Sequence, residues 1–319
     1  MGSINVMALS QNETNNYINS NGIEITFEEK ERLLSLGFTN SQIEMMDRDE
    51  FDNNKNLNGQ VVAQTTKYYK TTIVYNNPEN QTYSMTENNP VSYTEEVTKE
   101  EYDNIPTIDY NYESTNPLGN HPGYTETNGK QMTTSIIAVN GRYRLKVDLV
   151  WKNVPSTRSY DVLAIGIDST VSGVPDTKYV KQNWRLDNPC QGMTESHSST
   201  SANWKIDRAG YGATFKLPSN TTCSIPSGDP LILPTYKNVT VTALSSYLYF
   251  EINKLTTPIN TINAYGDYAH AIKTVSVETS IGFEFGLDSV GVGITFTPSV
   301  STKYDTMATA QAYWDGLNW

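Results

Sequence analysis

Three histidines and two cysteines are the side chains best suited to act as nucleophile, base or metal ligand in this sequence. His121 lies in GNHPG, His197 in TESHSS and His270 in YGDYAHA. None belongs to a G-x-S-x-G, H-E-x-x-H or C-x-x-C pattern, which would place a nucleophile beside its base or bring zinc ligands together. We therefore predict neither a nucleophilic triad nor a metal site, and we expect no cofactor.

Paired carboxylates could hydrolyse a glycoside, because one can act as the acid and the other as base or nucleophile. Such a pair is defined by its position in space, so the sequence supplies only candidates. They are Asp103, Asp109, Asp161, Asp168, Glu251 and Asp267. A carboxylate-based glycoside hydrolase therefore stays open as an alternative function.

Aromatic side chains could instead hold a ligand by stacking against sugar rings, since they are broad, rigid and amphipathic. The ligand-binding candidates are Trp184, Trp204, Tyr211, Tyr313, Trp314 and Trp319. We expect at least half of them to pack in the core instead. Because no catalytic motif accompanies them, they favour a binding protein over an enzyme.

Composition narrows the class of partner. The chain has 319 residues, with 35 acidic and 23 basic side chains and a formal net charge of −12. Phosphate backbones repel such a surface, so we predict no nucleic-acid binding. Charged residues make up only 18% of the chain, and the polar load is carried by Asn, Thr, Ser and 21 tyrosines. This bias is typical of secreted β-proteins, since Thr and Tyr favour strands and Asn and Ser favour turns.

The two cysteines predict a disulfide. Cys190 lies in DNPCQG and Cys223 in NTTCSIP, both loop-like contexts. Two free buried thiols are the alternative, but pairing fits an extracellular protein. No apolar run reaches the 18 or more residues of a membrane helix. Residues 1–9 lack the basic start and apolar core of a signal peptide, so we expect this sequence to be the mature form of a secreted protein.

Three parts are expected along the chain. Residues 1–24 are rich in Asn and Ser and predict a disordered arm. Residues 25–58 predict a helical hairpin, in which Thr26 caps FEEKERLLSLG with Phe27, Leu33, Leu34 and Leu36 as its apolar stripe, and SQIEMMDRDEF forms a second helix. This hairpin either docks on the main domain or is removed.

Residues 59–319 predict the main domain, with a Tyr-rich acidic part at 59–125 and a core part at 126–319. Asn140–Gly141 between two alternating runs predicts a type I′ hairpin turn. The run VLAIGI at 162–167 predicts a buried strand, and further strand patterns follow without intervening helices. The fold class expected is mainly β, an antiparallel β-sandwich or jelly roll with a small N-terminal helical hairpin.

The segment 274–297 alternates apolar and small polar residues and predicts a β-hairpin. Its apolar face consists of Val275, Val277, Ile281, Phe283, Phe285, Val290, Val292, Ile294 and Phe296. Such a hairpin either closes a sandwich core or lines a membrane pore. The second arm ends at Pro298 and is shorter than the 9–11 residues a membrane strand needs, which favours the core.

Three stretches resemble parts of uncharacterised secreted β-rich proteins from Gram-positive, often spore-forming, bacteria. They are LLSLGFTNSQIEMMDRDEF followed by TTKYYKT, then WKNVPSTRSYDVLAIGID, and finally YGDYAHAIKTVSV. The resemblance implies secretion and carries no activity.

Together these patterns predict a secreted, acidic, non-enzymatic protein that binds a glycan, a cell surface or a protein partner. A β-pore-forming or toxin-like protein that uses the hairpin at 274–297 is the first alternative, and it alone would involve a membrane. The hydrolase is the second. The oligomeric state stays open.

Overall fold

The computed structural model describes residues 16–74, 90–107, 125–227, 233–257, 259–287 and 291–316. The chain is mainly β, with antiparallel sheets stacked as a β-sandwich and short helices packed outside them. The predicted fold class is therefore confirmed.

The helices are short, and each of the first five begins at a Thr, Asp or Ser that accepts a hydrogen bond from a backbone N–H of the first turn. Within the described ranges they are α1 (Phe27–Ser35), α2 (Asn40–Glu44), α3 (Arg48–Asn54), α4 (Lys99–Asp103), α5 (Val277–Ser280) and α6 (Pro298–Ser301). A 3-10 turn spans Pro175–Thr177. None of these helices has the length and apolar character needed to cross a bilayer.

The strands of the described part are β1 (Tyr17–Ile18), β2 (Glu24–Ile25), β3 (Gly59–Val74), β4 (Val91–Val97), β5 (Thr125–Val139), β6 (Arg142–Trp151), β7 (Tyr160–Ile167), β8 (Val171–Gly173), β9 (Tyr179–Asn188), β10 (Met193–Ser199), β11 (Asn203–Asp207), β12 (Gly210–Lys216), β13 (Thr221–Ile225), β14 (Thr235–Lys254), β15 (Ile262–Ala271), β16 (Phe283–Leu287), β17 (Val292–Phe296), β18 (Tyr304–Thr306) and β19 (Ala310–Trp314).

Two sheets enclose the main core. The large sheet has the order β10-β9-β14-β6-β5-β3-β4, with β8 and β13 also paired to β14. The small sheet has the order β11-β12-β7-β15-β18, with β19 also paired to β15. Side chains such as Leu145, Leu248 and Phe250 of the large sheet and Leu163 and Ile165 of the small one form one buried cluster. The sandwich is therefore held by apolar burial between the facing sheets.

The central hairpin forms as predicted. Asn140 and Gly141 adopt φ values of 47° and 78°, and they connect β5 to β6. Both turn positions need positive φ, which Asn and Gly tolerate best. The side chains of β6 alternate, since Leu145 and Trp151 face the core while Lys146 lies on the other face.

The N-terminal segment differs in detail from the expectation. Residues 17–24 are not a free arm, because β1 pairs with β2 and Asn19 donates to the carbonyl oxygens of Ile43 and Met46. The expected second helix is divided into α2 and α3, because Asp47 caps a new helix by accepting from the N–H of Glu50. Phe27 is 65% exposed and does not join the apolar stripe. Residues 1–15 lie outside the described ranges.

The expected hairpin at 274–297 is also corrected. Its first arm does not begin at Val275, because Ser276 caps α5, which contains Val277, and β16 begins only at Phe283. The paired strands β16 and β17 are five residues each. They cover the outer face of the small sheet, where Phe283 is fully buried among side chains such as Val162 and Ala164. Val290 lies outside the described residues.

A buried ion pair ties the two sheets together. Lys130 of β5 and Asp305 of β18 are 0% and 4% exposed, and their charged atoms lie 2.6 Å apart. Thr71 and Thr94 donate to the same carboxylate at 3.0 and 2.5 Å. Burial would raise the pKa of Asp305, but the Lys130 ammonium and these hydrogen bonds hold that pKa below its ordinary value of 3.8.

The Asp305→Asn substitution should lower the free energy of unfolding at pH 7 by about 3–5 kcal/mol, since it leaves the Lys130 charge buried without its partner. Asp305 is stabilising when ionised, so its contribution exists at neutral pH and is lost as the pH falls through its lowered pKa. Denaturant titrations at pH 7 and pH 3 should therefore show a smaller acid loss in the variant than in the wild type. Asp103→Asn is the control, because that carboxylate forms an exposed pair with Lys99.

The predicted disulfide is present. Cys190 follows β9 and Cys223 lies in β13, with Cα atoms 6.1 Å apart and a sequence separation of 33. The bond connects the β9–β10 turn to β13, which pairs with the N-terminal end of β14.

Replacing both cysteines with serine should lower the free energy of unfolding by about 3–4 kcal/mol, because the unfolded chain regains the freedom of a loop of this length. Denaturant titrations of the oxidised wild type and the double variant measure the difference. Equal stabilities would show that this connection does not restrict the unfolded chain.

Candidate binding groove

A groove of about 460 Å³ crosses the outer face of the large sheet beside α2. We call it the sheet groove. Its floor comes from β3, β5, β6, β9 and β14, and its wall comes from the turn after α1 and from α2. The floor residues are Gln64, Thr66, Gln131, Thr133, Asp148, Val150, Trp151, Asn183, Trp184, Arg185, Ala243, Leu244 and Ser245, and the wall residues are Gly37, Thr39, Ser41, Gln42 and Met45. Its volume lies within the range of roughly 300–1,000 Å³ usual for ligand sites.

Half of the lining residues have uncharged polar side chains, and they are set among apolar surface. The amides are Gln42, Gln64, Gln131 and Asn183, and the hydroxyls are Thr39, Ser41, Thr66, Thr133 and Ser245. Asp148 and Arg185 are the charged side chains of the described lining, one of each sign. Amides and hydroxyls can both donate and accept. The surface therefore matches a ligand whose groups also do both.

Strand register brings these side chains together. Gln131, Val150, Ser245 and Asn183 are opposite one another on β5, β6, β14 and β9 in turn. Because residues in register on neighbouring strands point to the same face, they form one row across the groove. Val150 is 41% exposed, which leaves an apolar spot in the middle of a polar row.

The wall is fixed by Lys146, which is fully buried under the turn after α1. Its ammonium donates to the carbonyl oxygen of Gly37 at 3.0 Å, to Gln42 Oε1 at 3.1 Å and to Asp148 Oδ1. Gln42 Nε2 donates to the same Asp148 oxygen at 2.5 Å. Burial lowers the pKa of Lys146, while the Asp148 carboxylate opposes the shift. Gln42 thus reaches the groove with its amide already oriented.

A second buried lysine binds the end of α2 and the start of α3. Lys181 of β9 donates to the carbonyl oxygen of Met45 at 2.9 Å, to Asp47 at 2.8 Å and to Glu50 at 3.0 Å. Tyr247 donates to Glu50 at 2.5 Å. Burial raises the pKa of Glu50, although Lys181 and Tyr247 act against it. The helical segment is therefore docked by charge as well as by its apolar side chains.

The five described aromatic ligand candidates lie on strands. Trp184 borders the groove on β9, but it alternates with Asn183, so its side chain packs against the main core and stacks on His197 at 5.8 Å. Tyr211 is 2% exposed and stacks on Phe250 in the core. Trp204 and Trp314 are partly buried against the same core, and Tyr313 is 51% exposed on β19. Trp319 lies outside the described residues.

The predicted carboxylates are engaged by protein donors. Asp161 is fully buried and accepts from Tyr268 Oη and from the N–H of Ala271, and His270 lies 3.1 Å from it. Asp267 accepts from the N–H groups of Tyr268 and Ile294. The remaining described candidates have partners too: Asp103 with Lys99, Asp168 with Asn263 and Tyr265, and Glu251 with Arg142 and Arg144. Asp109 lies outside the described residues.

Arg158, three residues before Asp161, donates to the carbonyl oxygens of Pro155 and Pro218 and to Asn220 Oδ1. The described residues also contain no cluster of His, Cys, Asp and Glu suited to a metal ion. His121 lies outside them.

The groove was missed by sequence reasoning because its residues come from five strands and a helix. The signal that existed was the run of Gln and Thr at alternate positions of β3 and β5. Alternation alone identifies a face, but it does not say which strands are neighbours.

Comparisons with known proteins add little. No family model matches the chain, and a search of curated proteins finds no match. Among solved structures, the collagen binding domain of the Erysipelothrix rhusiopathiae surface protein RspB matches 60% of this chain and 66% of that chain, just under two thirds. The identity is 5% and the TM-score is 0.22, so this match does not indicate a shared fold or function.

Replacing Lys181 with alanine should loosen the wall of the groove, because Glu50 and the Met45 carbonyl would lose a buried donor. Breaking such a pair costs about 3–5 kcal/mol. Amide hydrogen exchange should become faster in α2 and α3 while the core strands stay protected. Lys99→Ala is the control, since Lys99 forms an exposed pair. Unchanged exchange in α2 and α3 would contradict the docking role of Lys181.

Proposed function

We propose that this chain is an extracellular, non-enzymatic binding protein that takes a carbohydrate of a cell surface or extracellular material in the sheet groove. The observation that carries the proposal is the lining of the groove, in which amide and hydroxyl side chains surround a floor built on five paired strands. Every sugar hydroxyl both donates and accepts, and so do these side chains.

The charge of the protein supports this choice of partner. A net charge of −12 disfavours nucleic acids and strongly anionic surfaces. Inside the groove, Asp148 and Arg185 have opposite charges. The apolar surface of Val150 suits the C–H face of a sugar ring.

The carboxylates support a binding role over hydrolysis. Asp161 and Asp267 are 0% and 4% exposed and are hydrogen-bonded to groups of the protein. A glycosidase needs its acid and its base or nucleophile on either side of the scissile bond, where the substrate can reach them. The disulfide between Cys190 and Cys223 supports an oxidising, extracellular environment.

The test is co-sedimentation of the purified chain with insoluble polysaccharides, bacterial cell walls and liposomes in parallel. Val150→Arg should block the groove, and Val91→Arg is its matched control, because Val91 is an exposed valine (59%) on β4 that is not part of the groove. We expect the wild type and Val91→Arg to pellet with polysaccharide or wall material, and Val150→Arg to lose at least about tenfold in affinity.

Two results would contradict the proposal. Equal pelleting of Val150→Arg and the wild type would exclude the groove as the site. Pelleting with liposomes alone, as oligomers that resist detergent, would favour the pore-forming alternative and direct mutagenesis to β16 and β17.

A further inference from the structure

One side chain of the sheet groove has unused hydrogen-bonding capacity. Asn183 is 3% exposed, and its Nδ2 and Oδ1 are both closed to solvent and have no hydrogen-bond partner in the structure, so a ligand contacts them only after the side chains over them move. Buried amides are nearly always paired, because removing them from water without a partner is unfavourable. An unpaired amide that lines a groove is therefore a candidate for a ligand contact.

We infer that Asn183 is the specificity-determining residue of the sheet groove, and that its amide binds two adjacent hydroxyls of an uncharged sugar. This inference rests on the proposed function. The amide can accept from one hydroxyl through Oδ1 and donate to the neighbouring one through Nδ2. A single hydroxyl would satisfy only half of this capacity.

The position of Asn183 is well fixed. Its strand β9 lies between β10 and β14, and Asn183 is in register with Ser198 and Ser245. Both neighbours restrict the backbone of Asn183 before a ligand binds. The adjacent residue Gln182 also has an unpaired Nε2, but it is in register with Ser246 and points to the opposite face.

The row of residues across the sheet indicates the orientation of the ligand. Ser245, Val150 and Gln131 follow Asn183 on successive strands. With strands about 4.8 Å apart, the row from Asn183 to Gln131 is about 14 Å long. An oligosaccharide laid across the strands would meet Asn183 at one end, the apolar surface of Val150 in the middle and the Gln131 amide at the other end.

The charges near the row favour an uncharged sugar. Lys146 and Lys181 are fully buried, and each is bonded to three groups of the protein. Arg185 is the cation of the described lining, and Asp148 is already paired with Lys146. The four residues of the row are uncharged, and the chain has a net charge of −12, which repels a uronic acid or a phosphorylated sugar. A neutral glycan needs no counter-charge.

The experiment compares binding and stability in the same variants of the full chain. Asn183→Leu keeps the approximate shape of the side chain and removes both polar atoms, and Gln182→Met does the same one residue away. The probes are cellohexaose, chitohexaose and mannohexaose, with oligogalacturonate as the acidic probe. Isothermal titration measures affinity, and thermal unfolding measures stability.

We expect Asn183→Leu to lose at least about tenfold in affinity for the neutral probe that the wild type binds, while its unfolding midpoint stays equal or rises. The rise follows because the variant no longer buries an unpaired amide. Gln182→Met should bind like the wild type. A merely structural residue would show the opposite pattern, a lower midpoint with affinity retained in the folded fraction.

Unchanged affinity in Asn183→Leu, together with weak binding by Val150→Arg, would overturn the inference and leave the proposed function standing. Preference of the wild type for oligogalacturonate would contradict the assignment of an uncharged sugar as the ligand. Failure of the wild type to bind any of the four probes or any polysaccharide would overturn both. If Asn183→Leu does not fold, Asn183→Ala serves in its place, with the same expected loss of affinity.

Discussion

The position of the helical segment (α1 to α3) depends on two lysines that are buried on the outer face of the large sheet. Lys146 and Lys181 are both fully buried, and a charge can occupy such a position only if it is paired and hydrogen-bonded. Their partners include the helix-end carbonyls of Gly37 and Met45 and the carboxylate of Glu50. The helical segment therefore has one favourable position on the sheet, and that position places α2 as the wall of the groove.

A similar constraint operates between the two sheets. Lys130 meets Asp305 across the sandwich, and Trp151 Nε1 of the large sheet donates to Tyr268 Oη of the small sheet at 3.3 Å. Tyr268 Oη in turn donates to Asp161. Apolar contact alone would allow two twisted sheets to slide past each other, whereas paired charges lose their partners after a small shift. These polar groups therefore define the relative register of the sheets, while the apolar core supplies most of the driving force.

What could be predicted from the sequence was local. The Asn140–Gly141 turn, the buried strand at 162–167 and the core-facing side of β6 each follow from spacing within one segment. The groove could not be predicted, because the alignment of Gln131 with Asn183 depends on three strand pairings between distant segments. Alternation also does not show what covers a face. Arg144 and Lys146 have the pattern of a solvent-exposed face of β6, yet the helical segment buries them. At 276–281, the cap at Ser276 favoured a helical turn over the expected strand.

The buried charges and the groove floor share the same strands. Lys146 precedes Val150 on β6, and Lys181 precedes Asn183 on β9. A residue that pairs a buried charge cannot change without leaving that charge unpaired, whereas an exposed uncharged side chain such as Val150 can be exchanged at little cost to stability. The same strands can therefore hold the helices in place through their lysines while other residues of the floor determine what the groove binds.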